Sequence, residues 1–276
     1  MESPSTRASL RRLLAAALFP ALGLLGVALG LSAGEGLPLW LVAPVVAVVL
    51  VPGVVGVLVV RRHPRHVVGW LLLVHSLLVG FALTSPPPQS SGAVERAVAQ
   101  ASQGTWVFLY VCLVLIGYLF PDGRFLSPRW RTWVAVCLVG YVAFLVGAAF
   151  DVEGYHALFP GEELPVAGPP EPVTAVLGLG GLVMVAASLV GTVVCARRRL
   201  ALATGDERLQ MLWFTWSAAS IPMMLAVCWG DIAFTGAAGP ITVLGISCWA
   251  ASSRWASGWR SFATASSTSS WRSAAP

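Results

Sequence analysis

The sequence predicts an all-α, polytopic membrane helical bundle of about eight transmembrane helices, with both termini cytoplasmic. Three observations predict it. Mean hydropathy is +0.79, and 57% of residues are hydrophobic against 11% charged, where soluble domains carry about 25% charge. The apolar residues fall into blocks close to the roughly 20 residues that a helix needs to cross a bilayer. All 17 basic residues are arginine, and sixteen of them lie in alternate inter-block segments assigned to the inside, with only Arg96 outside. Short loops rich in Lys or Arg stay in the cytoplasm, so this asymmetry orients every span.

Arg7, Arg11 and Arg12 precede an apolar run from Leu13 to about Ala33. The run exceeds the 7–15 residues of a signal-peptide core, which favours an uncleaved first helix over a leader. Within it, Gly26 and Gly30 have the spacing that lets membrane helices approach closely. After an outer turn at Gly34–Pro38, Leu39–Val60 returns inward, and Pro44, Pro52, Gly53 and Gly56 predict a bent helix. Arg61 to His66 form an inner loop. A third span follows at Val67–Thr84, with Trp70 near the inner headgroups and His75 about a turn deeper. An intramembrane ionisable group is a functional candidate by default, so His75 is the candidate intramembrane sensor. The other reading is a neutral histidine bonded to a neighbouring helix.

Ser85–Gly104 is a polar outer segment, and Thr105–Phe120 a short fourth span. The fifth span, Thr132–Phe150, leads to Asp151–Pro172, which holds Asp151, Glu153, Glu162, Glu163 and Glu171 without a Lys or Arg. Oxygen ligands suit a divalent cation, but no calcium-loop spacing occurs, and Pro and Gly predict an irregular, solvated loop. The sixth span, Val173–Ala196, ends on Arg197-Arg198-Arg199. Thr204 and Glu207 have capping-box spacing, so a seventh helix begins just after Thr204 and ends near Trp229. A weaker eighth span covers about Ile232–Ala251.

Between spans four and five lies the hinge Phe120-Pro121-Asp122-Gly123-Arg124-Phe125-Leu126-Ser127-Pro128-Arg129-Trp130-Arg131. Pro121-Asp122-Gly123 predicts a tight turn, with Pro second and Gly closing it. Ser127 stands where an N-cap belongs and Pro128 at the first helical position, so a helix starts there. The five cysteines are scattered one per apolar block, and none has a ligand spacing. They read as small packing residues. No metal or cofactor site is expected. Arginines in small groups between apolar blocks, with no lysine, fit membrane orientation and a GC-rich coding sequence, not a nucleic-acid surface.

The chain thus divides into a cytoplasmic N-terminus (1–12), a transmembrane region (13–251) and a low-complexity tail (252–276). The tail has nine Ser and no Leu, Ile, Val, Asp or Glu. It reads as a disordered tail, or as the product of a GC-rich gene translated out of frame.

Three segments, with the layout of eight spans, carry a resemblance. They are Val60-Arg61-Arg62-His63-Pro64-Arg65 leading to Val68-Gly69-Trp70-Leu71-Leu72-Leu73, the hinge from Phe120 to Arg131, and Gly205-Asp206-Glu207-Arg208-Leu209-Gln210-Met211-Leu212-Trp213-Phe214. Together they resemble the N-terminal membrane sensor region of sensor histidine kinases, the input proteins of two-component systems, from GC-rich bacteria. The likeness covers about residues 10–250. Where that family usually continues the first segment through Asn-Pro, this chain has His66-Val67. The resemblance implies a multi-pass protein of the cell membrane, in contact with the lipid bilayer and with a second copy or a kinase partner, whose candidate signal-coupling residues are Arg124, Arg129, Arg131 and Arg208. The family's dimerisation helix with its phospho-accepting histidine, and its ATP-binding domain, are missing. The expectation is a sensory module without catalytic activity, truncated or frameshifted. A small membrane transporter and a non-catalytic membrane scaffold stay open as alternatives.

Overall fold

A computed structural model of the chain describes residues 4–33, 39–82 and 92–235, and among these all regular structure is helical. The helices are α1 (Pro4–Ala33), α2 (Leu39–Arg62), α3 (Val67–Ala82), α4 (Ala93–Ser102), α5 (Phe108–Leu119), α6 (Pro128–Ala149), α7 (Val152–Leu158), α8 (Glu171–Leu202) and α9 (Gly205–Thr235), with a 3₁₀ turn at Thr105–Val107. α1, α2 and α3 pack on one another, α3 joins them to α5, and α8 lies against α5, α6 and α9.

Among the described residues, three helices are long and apolar enough to cross a membrane: α1 over Arg11–Leu29, α6 and α8. α4 together with Thr105–Leu119 passes the same test as a pair bent by 45°, which raises the number to four. The expected eight is therefore met in part. Helices stand where spans one to seven were placed, but α3 at 16 residues is short of the roughly 20 that a crossing takes. The eighth span falls mostly on residues 236–251, outside the described residues, as does the tail 252–276. α6 and α8 expose Val139, Val142, Val176, Leu179 and Val183. Such surface suits lipid, which accepts apolar side chains on a helix whose backbone is satisfied internally.

Close packing runs through small residues. Glycine removes the side-chain layer between two helices, so their backbones touch and dispersion contacts multiply. α1 meets α3 at Gly23 and Gly80, where a Cβ on Gly80 would overlap the Gly23 backbone. α6 meets α8 at two such points. A Cβ on Gly147 would lie 2.6 Å from Gly178 Cα, and one on Gly181 would lie 2.6 Å from Phe144 Cα. Gly23, one turn before Gly26, is thus a contact glycine of α1, while Gly30 of the expected pair lies outside the residues whose side-chain surroundings are described.

The polar segments 92–104 and 151–172 come together at one end. The irregular loop expected at 151–172 instead contains α7, because Tyr155 and Phe159 recur at helical spacing and stack with ring centroids 5.0 Å apart. They pack against Ala99 of α4. Gln100 is buried, and its amide clasps Val166 in both directions: Nε2 donates to Val166 O at 2.9 Å and Oε1 accepts from Val166 N at 3.0 Å. Arg96 pairs with Glu162 at 2.6 Å, a half-exposed contact that contributes little to stability. Gln100→Ala is expected to remove about 1.4 kcal/mol of local stability and so raise the open population roughly tenfold. Limited proteolysis within 159–168 should speed up accordingly; unchanged cleavage would mean that the clasp does not hold the loop.

Candidate functional site

The opposite end gathers the arginine-bearing segments, and its centre is the hinge between α5 and α6. Phe120 ends α5, the Phe120–Pro121 peptide is cis, and Gly123 has φ 71°. That left-handed conformation is open to glycine without strain. The turn expected at 121–123 forms, but its closing bond runs from Gly123 N–H back to Leu119 O at 2.7 Å. Ser127 is the extended N-cap of α6 and Pro128 its first-turn residue, as expected. The Ser127 side chain makes no cap bond; its carbonyl accepts from Trp130 N and Arg131 N at 3.1 and 3.3 Å.

Arg199 holds this hinge. Nη2 donates to Tyr118 O at 3.1 Å and also to Arg124 O. Nη1 stands 3.7 Å from the Asp122 carboxylate. The Arg199 side chain is 9% exposed, whereas Asp122 is 67% exposed. The guanidinium therefore works chiefly through the two carbonyls, since the attraction to a solvated carboxylate is screened. Beside it, Arg198 lies over the Trp130 ring, 5.6 Å from the centroid.

The inward turn of Arg199 follows from helix geometry. Buried Ser188, Thr192, Cys195 and Arg199 of α8 fall at intervals of four, three and four residues, which is one face of a helix. That face carries a polar network into the bundle. Tyr118 OH donates to Ser188 O at 3.0 Å and accepts from Trp133 Nε1 at 2.9 Å. Thr192 Oγ1 donates to the same Ser188 carbonyl at 2.9 Å, and Tyr141 OH lies 3.2 Å from Ser188 Oγ. α5, α6 and α8 are thereby tied together where lipid offers no alternative partner.

The hinge also reaches the last described helix. Phe120 stacks on Phe214 of α9, with centroids 4.4 Å apart and planes 16° apart. Val68 of α3, Ile116 of α5, Ala203 after α8 and Met211 of α9 complete a buried cluster there.

In front of the hinge opens a groove of about 910 Å³. Arg12 of α1, Arg62 and Arg65 around the end of α2, and Arg124 of the hinge line it, with Asp122 as the acidic member. Trp70 also lines it and fixes the 63–66 loop by donating from Nε1 to Pro64 O at 2.9 Å.

Of the residues singled out in the sequence, Arg124 is exposed and faces this groove. Arg129 and Arg131 are exposed in the first turn of α6, and Arg208 is exposed in the first turn of α9; none of the three belongs to the groove lining. His75 is buried in α3, and its Nδ1 has no hydrogen-bond partner, so the bond to a neighbouring helix considered for it is not made through that atom. The polar tie from α3 comes from its neighbour, Ser76 Oγ, which donates to Val49 O of α2 at 2.8 Å. Sequence reasoning passed over Arg199, Tyr118 and Ser188. The polar positions 188, 192 and 199 on one face of α8 were the available signal. Among the described residues no group of His, Cys, Asp or Glu could hold a metal ion, and Cys112, Cys137 and Cys195 are free, buried thiols. No family model, curated protein or solved structure matches the chain.

Proposed function

We propose that the chain is a multi-pass signal-input module of the cell membrane, with about eight spans and both ends inside. Its role is that of the membrane region of a sensor histidine kinase, and it has no catalytic function of its own. The observation that carries this reading is the hinge: it is held by Arg199 of α8 and stacked through Phe120 on Phe214 of α9. A shift between α5 and α8 would be felt at the start of α9, the helix that leads into the expected final span.

The inner surface, and not the outer acidic loop, would set the resting position of the final span. Its arginines lie against anionic headgroups, each contributing on the order of 1 kcal/mol near the lipid. The chain fused ahead of an intact histidine-kinase catalytic core tests this. Arg124→Glu with Arg131→Glu is expected to change autophosphorylation about fivefold or more, and Glu162→Gln with Glu163→Gln to change it less. Thiol labelling should first place 85–104 and 151–172 outside and 121–131 inside in each variant. Altered output from the outer pair alone would mean that the signal enters through the acidic loop, and outside labelling of 121–131 would overturn the topology.

A further inference from the structure

We propose that the groove in front of the hinge is a binding site for one phosphate group, carried by an anionic lipid headgroup or by a free phosphate. Four arginines, Arg12, Arg62, Arg65 and Arg124, line it from three separate segments of the chain. Among the described residues none of the four has an ion-pair partner. The single acid in the lining, Asp122, is largely solvated and stands 3.7 Å from Arg199. Four arginines against one acid leave the groove strongly positive, and self-repulsion of that kind is relieved by a bound anion.

Arginine narrows the class. Its planar fork presents paired N–H donors at the spacing of phosphate oxygens, which a lysine ammonium does not. A volume of about 910 Å³ lies in the range of small-molecule sites and leaves room for the alcohol part of a phosphate ester. Trp70 and Val67 offer that part an apolar wall. The walls are also built: Trp70 holds the Pro64 carbonyl, His66 N donates to His63 O at 3.0 Å, and Arg199 fixes the backbone of Arg124. The inference rests on this geometry and not on a signalling role, and its test reads binding alone.

Full-length protein, purified and delipidated in a neutral detergent, would be titrated with inorganic phosphate by isothermal calorimetry. In parallel, protein released from nanodiscs of phosphatidylcholine with phosphatidylglycerol would be weighed by native mass spectrometry. Saturable phosphate binding, or retention of one phosphatidylglycerol in preference to phosphatidylcholine, is expected. The first result identifies a free phosphate as sufficient, and the second assigns the site to lipid. Arg12→Gln with Arg62→Gln should weaken binding at least tenfold. Arg11→Gln with Arg61→Gln removes the same charge one residue away, outside the lining, and should leave binding within twofold. Arg65→Gln with Arg124→Gln repeats the loss from the other wall if the first pair fails to fold. Equal weakening by the lining and control pairs would reduce the effect to general surface charge and overturn the proposal. Failure of the wild-type protein to retain either probe would overturn it as well.

Discussion

Arg199→Ala should loosen the hinge and destabilise the arginine-rich end by about 3 kcal/mol, the scale expected when charge-assisted bonds to buried acceptors are lost. The two carbonyls that it holds, Tyr118 O and Arg124 O, are left without their charged donor, and the vacated space borders the Tyr118–Ser188 network. Asp122→Asn removes the other partner of the ion pair, but that carboxylate is largely solvated, so its loss should cost about 0.5 kcal/mol or less. Arg199→Lys should fall between them, because one ammonium lacks the fork that spans two acceptors. Equilibrium unfolding in mixed SDS micelles measures the stabilities, and thiol labelling of Ser127→Cys measures hinge exposure. Equal effects of Arg199→Ala and Asp122→Asn would show that the ion pair, and not the carbonyl clamp, holds the hinge.

Gly181→Leu should disrupt the packing of α6 on α8, whereas Gly180→Leu should be tolerated. A Cβ at 181 would lie 2.6 Å from Phe144 Cα and 2.7 Å from Gly140 O. Those are backbone atoms, so no rotamer change relieves the clash and the helices must part. The cost is on the order of 3 kcal/mol or more, the upper range for overpacking. The separation would also strain the Tyr141–Ser188 contact a few turns further along. Gly180, next in sequence, is exposed with nothing within 4 Å of its would-be Cβ, so leucine there meets lipid. The yield of monodisperse protein in detergent reports the difference. Similar yields for the two variants would mean that α6 and α8 do not meet at Gly181.

What the sequence determined by itself is the local and the periodic. Hydropathy over windows of about 20 residues located the apolar helices, though not the polar α4 and α7, since each apolar helix satisfies its own backbone polar groups and needs no partner to be recognised. Arginine placement assigned the loops to two ends, and the structure does bring Arg12, Arg62 and Arg124 together at one end and Arg96 with Glu162 at the other. Ser127 and Pro128 started α6 where capping chemistry says that a helix starts. Only the tertiary structure decided the rest. Arg197, Arg198 and Arg199 are chemically identical in the sequence, yet rotation of about 100° per residue leaves the first two exposed and buries the third against the hinge. Gly180 and Gly181 likewise differ only in which side of α8 meets α6. Position on a helix face relative to a neighbour is a property of the packed bundle, and in a chain apolar on nearly every face the hydrophobic pattern does not reveal it.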